Sequence, residues 1–239
     1  MSVAPGLQGR VVLITGASGS LGGEMAVQLA QAGAVVIASG RNLRKLDKLH
    51  ARIEAEGGIC QLYPMDLAGA DPEALAECIE GICGAHGGLD VLIHCAADFP
   101  GLTPLMHTDP ARLAQGIHVN LTARVWLTQA ALPALQQRSG VVVFVHDQPE
   151  RVSSAYWGGY GAVQSAQAAL AAMLDGEMAG RVKVLGYVPS PMPTALRARA
   201  YSHEVGTIRS PEIVARECIE QIAASVGGWV GCEEASSLV

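Results

Sequence analysis

Apolar residues fall along the chain in two alternating rhythms. Short, dense runs rich in β-branched residues stand at Val11 to Thr15, Val35 to Ala38, Gln61 to Met65, Val91 to Cys95, Val141 to Val145 and Val182 to Val188. Each is too short for a helix and reads as a strand. Between them lie longer stretches with helical spacing. The first is rich in Ala, Leu, Met and Gln and runs to about Gln31, stopping at Gly33; the second shows Leu43, Leu46, Leu49 and Ile53 on one face. Asp71-Pro72 and Asp109-Pro110 each pair an N-cap residue with proline at the first helical position. The second of these opens a long helix to about Leu135. Another spans Gly158 to Met178, and Ser210-Pro211 opens a last one to about Val226.

Strand and helix alternate throughout, without internal repeat, low-complexity segment or linker. That alternation predicts an α/β fold: one Rossmann-like domain over residues 1–239, with a doubly wound parallel sheet flanked by helices. In such sheets ligands bind outside the carboxyl ends of the strands, so chemistry is to be sought in the loops that follow them.

Composition narrows the partners. The chain has 239 residues, 50% of them hydrophobic and 16% charged, with a formal net charge of −6. That is ample material for a core. Only three lysines occur, with no basic run, which argues against nucleic acid as the main partner. No apolar run approaches the ~20 residues that span a bilayer, and the start Met-Ser-Val-Ala-Pro-Gly lacks the basic and apolar regions of a secretory leader. A cytoplasmic protein acting on a small molecule is expected. The six cysteines show no CxxC and no zinc spacing, so they read as buried small hydrophobes and no metal site is expected.

The first loop is Thr15-Gly16-Ala17-Ser18-Gly19-Ser20-Leu21-Gly22. Glycines let a backbone approach a pyrophosphate without Cβ clashes, and the following helix aims its N–H groups at the charge. Here the sequence resembles the short-chain dehydrogenase/reductase family over almost its whole length. The common family pattern, TGxxxGxG, has a glycine where this chain has Ser20; Gly19 gives the GxxGxxG variant instead. The resemblance implies that Gly16, Ser18, Gly19, Ser20, Leu21 and Gly22 cradle a dinucleotide. Strand two ends Ser39-Gly40-Arg41, with no carboxylate to meet ribose hydroxyls. Arg41 suits a 2′-phosphate, which favours NADP(H) over NAD(H). Asp66-Leu67 resembles the family's adenine contact, with a turn-capping Asp as the alternative.

The catalytic pattern is altered. Asn-Asn-Ala-Gly after strand four appears as His94-Cys95-Ala96-Ala97; His94 reads first as a structural histidine, with catalysis as the alternative. Asn120 matches the family's active-site Asn, and Tyr160 its tyrosine. The family's lysine four residues on is Gln164, and its serine thirteen residues before is Asp147. Without the ammonium, and beside a carboxylate, Tyr160 ionises less readily. Proton donation to a carbonyl or imine is then favoured over proton removal from an alcohol. Gln164 keeps the capacity to bond a ribose hydroxyl. Pteridine reductases of the same family carry Asp at the serine position, though with the lysine retained. Pro189 and Thr194 match the family's PGxxxT loop, which contacts the nicotinamide and begins a substrate lid, here about residues 190–210.

The resemblance therefore implies an NADP(H)-dependent reductase with catalytic residues Tyr160, Asn120, Asp147 and Gln164. Tyr160, Gln164, Pro189 and Thr194 would also contact the cofactor. Two alternatives stay open: a catalytically impaired relative acting as a dinucleotide sensor or interaction partner, and a pterin-type reductase. Pairing of the two long Ala-rich helices, as in family members, would make a homo-oligomer, dimer or tetramer.

Overall fold

The structure, a computed structural model, describes residues 6–201 and 208–227. Six parallel strands form one sheet: β1 Val11–Thr15, β2 Val35–Gly40, β3 Ile59–Pro64, β4 Val91–His94, β5 Val141–Val145 and β6 Lys183–Tyr187, in the order β3-β2-β1-β4-β5-β6. The helices are α1 Ser20–Gln31, α2 Leu43–Ala55, α3 Pro72–His86, α4 Pro110–Ile117, α5 Ala123–Gln137, α6 Pro149–Val152, α7 Gly158–Met178 and α8 Pro211–Gly227. The expected doubly wound architecture is present, with the strand order reversing between β1 and β4.

The proline-marked helix starts form as read. Asp71 Oδ1 accepts from Ala74 N at 2.8 Å, and Asp109 Oδ1 from Ala111 N at 2.9 Å. Two details differ. β3 starts two residues before Gln61, because Ile59 already pairs with Val35 at this sheet edge. The long helix expected from Pro110 is not one uninterrupted α-helix: residues His118–Thr122 make a π turn between α4 and α5. Part of the expected lid, residues 202–207, lies outside the described residues.

The central strands are apolar on both faces, so successive residues enter opposite cores. Val12, Ile14, Val36, Val91, Ile93, Val141 and Val143 meet α1, α2 and α8 on one side. Val11, Leu13, Ile37, Leu92, Val142 and Phe144 meet α3, α5 and α7 on the other. Cys78 and Cys218 are buried in these cores as small hydrophobes, whereas Cys60, Cys83 and Cys95 are half-buried and Cys232 lies outside the described residues. Among the described residues no helix is long and apolar enough to cross a membrane, and no His/Cys/Asp/Glu group could hold a metal.

Asp90 locks the central strands together. Its carboxylate accepts from Val11 N at 2.9 Å and Arg10 Nη1 at 2.8 Å, while its carbonyl accepts from Val141 N at 2.9 Å. Asp90→Ala should destabilise the fold by about 1–3 kcal/mol, chiefly through the buried Val11 N–H left without an acceptor. The partly exposed Arg10 contributes little of this. A urea titration with an unchanged midpoint would contradict this account.

Candidate active site

A cleft of about 470 Å³ opens along the carboxyl edge of the sheet. Gly16 follows β1 with φ +72°, and a Cβ there would lie 2.6 Å from the backbone of Ala96. At Gly22 a Cβ would lie 2.4 Å from Gly16 O. Both glycines are therefore required by backbone packed on backbone, and the loop turns tightly enough for Gly19 N to reach Gly16 O at 2.9 Å. Gly19 stands at the N-cap of α1 and offers no side-chain acceptor. α2, α3 and α4 have side-chain caps from Asn42, Asp71 and Asp109. No side chain therefore caps the first N–H groups of α1, which open on the cleft wall. Ser18, Ser20 and Leu21 complete this wall.

At the end of β2, Gly40 packs on Ser18, whose Oγ would lie 3.0 Å from any Cβ. A carboxylate at position 40 would crowd this contact, and the charges lining this end of the cleft are Arg41, Lys45 and Asp66. Asp66 and Leu67 line the same end, and Asp66 Oδ1 also caps Ala68 N at 3.1 Å.

The opposite end gathers Asp147, Tyr160, Gln164, Pro189 and Thr194. Tyr160 Oη donates to Asp147 Oδ2 at 3.1 Å. Burial, then the Asp147 carboxylate, push the phenol far above its usual range, and Arg124 offsets them only in part. Gln164 Oε1 accepts from Asp147 N at 2.8 Å. Because an N–H needs an acceptor, this bond fixes the amide orientation and leaves Nε2 as the donor toward the cleft. Arg151 Nη1 lies 3.6 Å from Asp147 Oδ1.

Asn120 does not line this cleft. It is fully buried, its Oδ1 accepting from Asp98 N at 2.9 Å and its Nδ2 donating to Asp98 O at 2.7 Å and Gly116 O at 2.9 Å. The π turn that carries it lets the side chain bond Gly116 O one turn back. Asn120 thus holds the strand-four loop, and its bonding capacity is used there. His94 is fully buried and does not line the cleft. It stacks on Phe144 at 4.9 Å, and its Nε2 lies 2.8 Å from Thr128 Oγ1. The Thr128 hydroxyl donates to Arg124 O, so His94 Nε2 is the donor; burial and Arg124 keep the ring neutral.

Three features escaped the sequence reading. Arg124 is 1% exposed and donates to Val145 O, Ala96 O and Gln167 Oε1. An arginine on the buried stripe Asn120, Arg124, Leu127, Ala131 was the available signal. Asp98, buried and 3.3 Å from Arg112, borders the cleft and an adjoining cavity of about 230 Å³. Phe99 packs on Tyr160, at 4.8 Å between centroids, and on Trp157, at 5.2 Å; Phe99 and Tyr160 line both spaces, and Trp157 lines the smaller cavity.

Residues 10–205 match the family model for short chain dehydrogenases, and the chain belongs to that family. The uncharacterized oxidoreductase YciK of Escherichia coli is 32% identical over 200 residues, covering 83% of this chain and 79% of that protein. A short chain dehydrogenase from Shigella flexneri complexed with NADP superposes with a TM-score of 0.86 at 29% identity, covering 93% of each chain. Another from E. coli, complexed with NADPH, gives 0.86 at 30% identity, covering 94% of this chain and 93% of that one.

The raised phenol ties stability to alkaline pH. An unfolded tyrosine ionises near pH ~10, whereas Tyr160 stays protonated well beyond it. Stability from this group is complete below pH ~10 and falls above it, by up to ~1.4 kcal/mol per pH unit, as the unfolded chain alone loses the proton. Tyr187, also raised by burial, adds a second such loss. Urea midpoints measured from pH 8 to 11 should decline first as the thiols of the unfolded chain ionise, since burial raises Cys60, Cys78, Cys95 and Cys218 in the fold, and then above 10 less steeply in Tyr160→Phe than in wild type. Equal slopes would count against a suppressed Tyr160 ionisation.

Proposed function

We propose that this chain is an NADP(H)-dependent reductase of a carbonyl or imine, with Tyr160 as proton donor. The observation carrying this reading is the 3.1 Å hydrogen bond from Tyr160 Oη to Asp147 within the cleft. It keeps the tyrosine neutral, the form that can donate and cannot act as base. The cofactor assignment is supported by the fit of the cradle: two glycines with backbone where a Cβ would stand, and an uncapped α1. The complexes of similar proteins with NADP and NADPH point the same way.

When bound, the dihydronicotinamide supplies hydride to the substrate carbon. The chain's own residues do the rest. The α1 N-terminus and glycine loop hold the pyrophosphate, and Arg41 with Lys45 meets the 2′-phosphate. Gln164 Nε2 donates to a ribose hydroxyl. Tyr160 gives its proton to the substrate heteroatom and regains one through Asp147 from solvent. Asp98, held by Asn120, borders the substrate space. Pro189 and Thr194 shape the nicotinamide end.

NADPH should bind more tightly than NADH. Arg41→Ala should narrow that preference roughly ten- to hundredfold, the value of one charged phosphate contact. Fluorescence titration with both nucleotides measures the ratio; a ratio equal to wild type would remove Arg41 from the phosphate site, and failure of both nucleotides to bind would favour a non-catalytic interaction protein.

Restoring a lysine tests the proton logic. Gln164→Lys alone removes the acceptor of Asp147 N and brings an ammonium that Asp147 can pair with, so its benefit should be small. Asp147→Ser/Gln164→Lys should lower the pH at which alcohol oxidation appears by ~1–3 units, with a smaller effect on reduction at neutral pH. Stopped-time assays on alcohols and ketones from pH 6 to 11 measure both directions. Equal changes in the two would contradict the assignment of Tyr160 as an acid held neutral.

A further inference from the structure

The cavity of about 230 Å³ beside the cleft has no part in holding the cofactor or in the proton transfer. Tyr160, Phe99 and Asp98 line both spaces, so the cavity begins at the residue that gives the proton. A molecule that presents its reacting atom to Tyr160 can therefore extend a second group into it.

The lining decides which group fits. Its polar side chains are engaged within the protein. Asp98 Oδ2 faces Arg112 Nη2 at 3.3 Å, and Arg112 also donates to Gln115. Asp109 Oδ1 accepts from Ala111 N at 2.9 Å, and the Thr108 hydroxyl donates to Pro104 O at 3.2 Å. Asn120 is used on Asp98 and Gly116. A polar arm would have to displace these bonds, whereas a hydrocarbon arm leaves each intact. Phe99, Leu113, Trp157 and Tyr160 supply apolar walls. Between the lining residues Thr103 and His107 stand Leu105 and Met106, 74% and 84% exposed, so apolar side chains continue beside the cavity.

The wall conformation is unusual. Tyr156 adopts φ +75°, a left-handed conformation that an aromatic residue rarely takes, and Thr103 N donates to its carbonyl at 2.9 Å. On α4, a Cβ at Gly116 would meet no heavy atom within 4 Å, so that wall has room. A Cβ at Gly159 would instead clash with Leu113 Cδ1, so Leu113 closes on the first turn of α7. An apolar cavity of ~150 Å³ holds benzene, so a volume of about 230 Å³ suits an arm of roughly six to eight carbons.

We propose that the substrate is a carbonyl compound with an unbranched aliphatic arm, that the smaller cavity receives this arm, and that Gly116 and Leu113 set the length accepted. This rests on the reductase reading above. The step balances: the carbonyl carbon receives hydride with two electrons from NADPH, the oxygen takes the Tyr160 proton, and an alcohol and NADP⁺ result. Tyr160 regains its proton through Asp147 from water.

The test is a series of methyl ketones from 2-butanone to 2-dodecanone, with the full chain and NADPH. In wild type KM should fall about three- to fourfold per added methylene, with kcat little changed, and level off once the arm reaches roughly eight carbons. Gly116→Leu should lower the efficiency ratio of 2-octanone to 2-butanone about tenfold or more. Leu113→Ala should move the optimum about two to three carbons longer, the size of the side chain removed. Both variants are checked by circular dichroism and by NADPH affinity, expected within about twofold of wild type. The matching 2-alkanols, titrated by tryptophan fluorescence into the NADP⁺-loaded protein, should show the same length dependence without turnover. A wild-type series independent of length overturns the proposal, as does a series unchanged in the folded variants. Absence of NADPH binding, or of turnover with every ketone, would instead sink the reductase reading; the alkanol series, run also on the unliganded protein, then decides the cavity by the same criterion.

Discussion

Arg124 reaches from the first turn of α5 to Ala96 O after β4, to Val145 O at the end of β5 and to Gln167 Oε1 on α7. Among the described residues no carboxylate pairs with it. A buried cation that lacks a counter-charge is costly, and neutral dipoles must compensate it. That requirement fixes three pieces of backbone at once. The carbonyls of residues 96 and 145 must turn toward the guanidinium, so the loops leaving β4 and β5 depart in set directions. Ala96 is also the residue against which Gly16 packs, and Asp147 begins two residues after Val145. One side chain therefore ties the nucleotide wall to the catalytic wall.

The two walls solve opposite electrostatic problems. Around α1 the helix start is left uncapped and the nearby end of β2 carries Arg41, so that end of the cleft suits anions. Around Tyr160 the hydroxyl points at a carboxylate whose backbone N–H is taken by Gln164. Gln164 thus has a structural task and a donor left over, which a lysine could not combine: an ammonium accepts no hydrogen bond. The glutamine and the aspartate form a matched pair, each fixing the other's orientation.

Much of this was legible before any coordinates. Strand and helix alternate with distinct periods, and proline after aspartate marks two helix starts without ambiguity, because cap and missing N–H act locally. The glycine loop, Arg41, Asp147, Tyr160, Gln164, Pro189 and Thr194 all reach the cleft, since loops after parallel strands converge there by topology. What stayed hidden depends on partners far apart in the chain. Asn120 could be recognised as a buried polar residue, but its use on the backbone of Asp98 needs the π turn, which has no periodic signature. Arg124 needed three acceptors from three elements. Which face each central strand residue takes was also invisible, since both faces are apolar.

The close approach of Gly16 to Ala96 bears on how the molecule comes together. Residues 16 and 96 lie eighty positions apart, and three helical crossovers separate β1 from its neighbour β4. A chain emerging from synthesis holds the glycine loop long before it holds the surface that shapes it. Contacts of such long sequence separation close late and slowly. A ligand of the cradle can therefore recognise only a chain whose centre is already assembled. By mass action it stabilises that state and none of the partial ones before it.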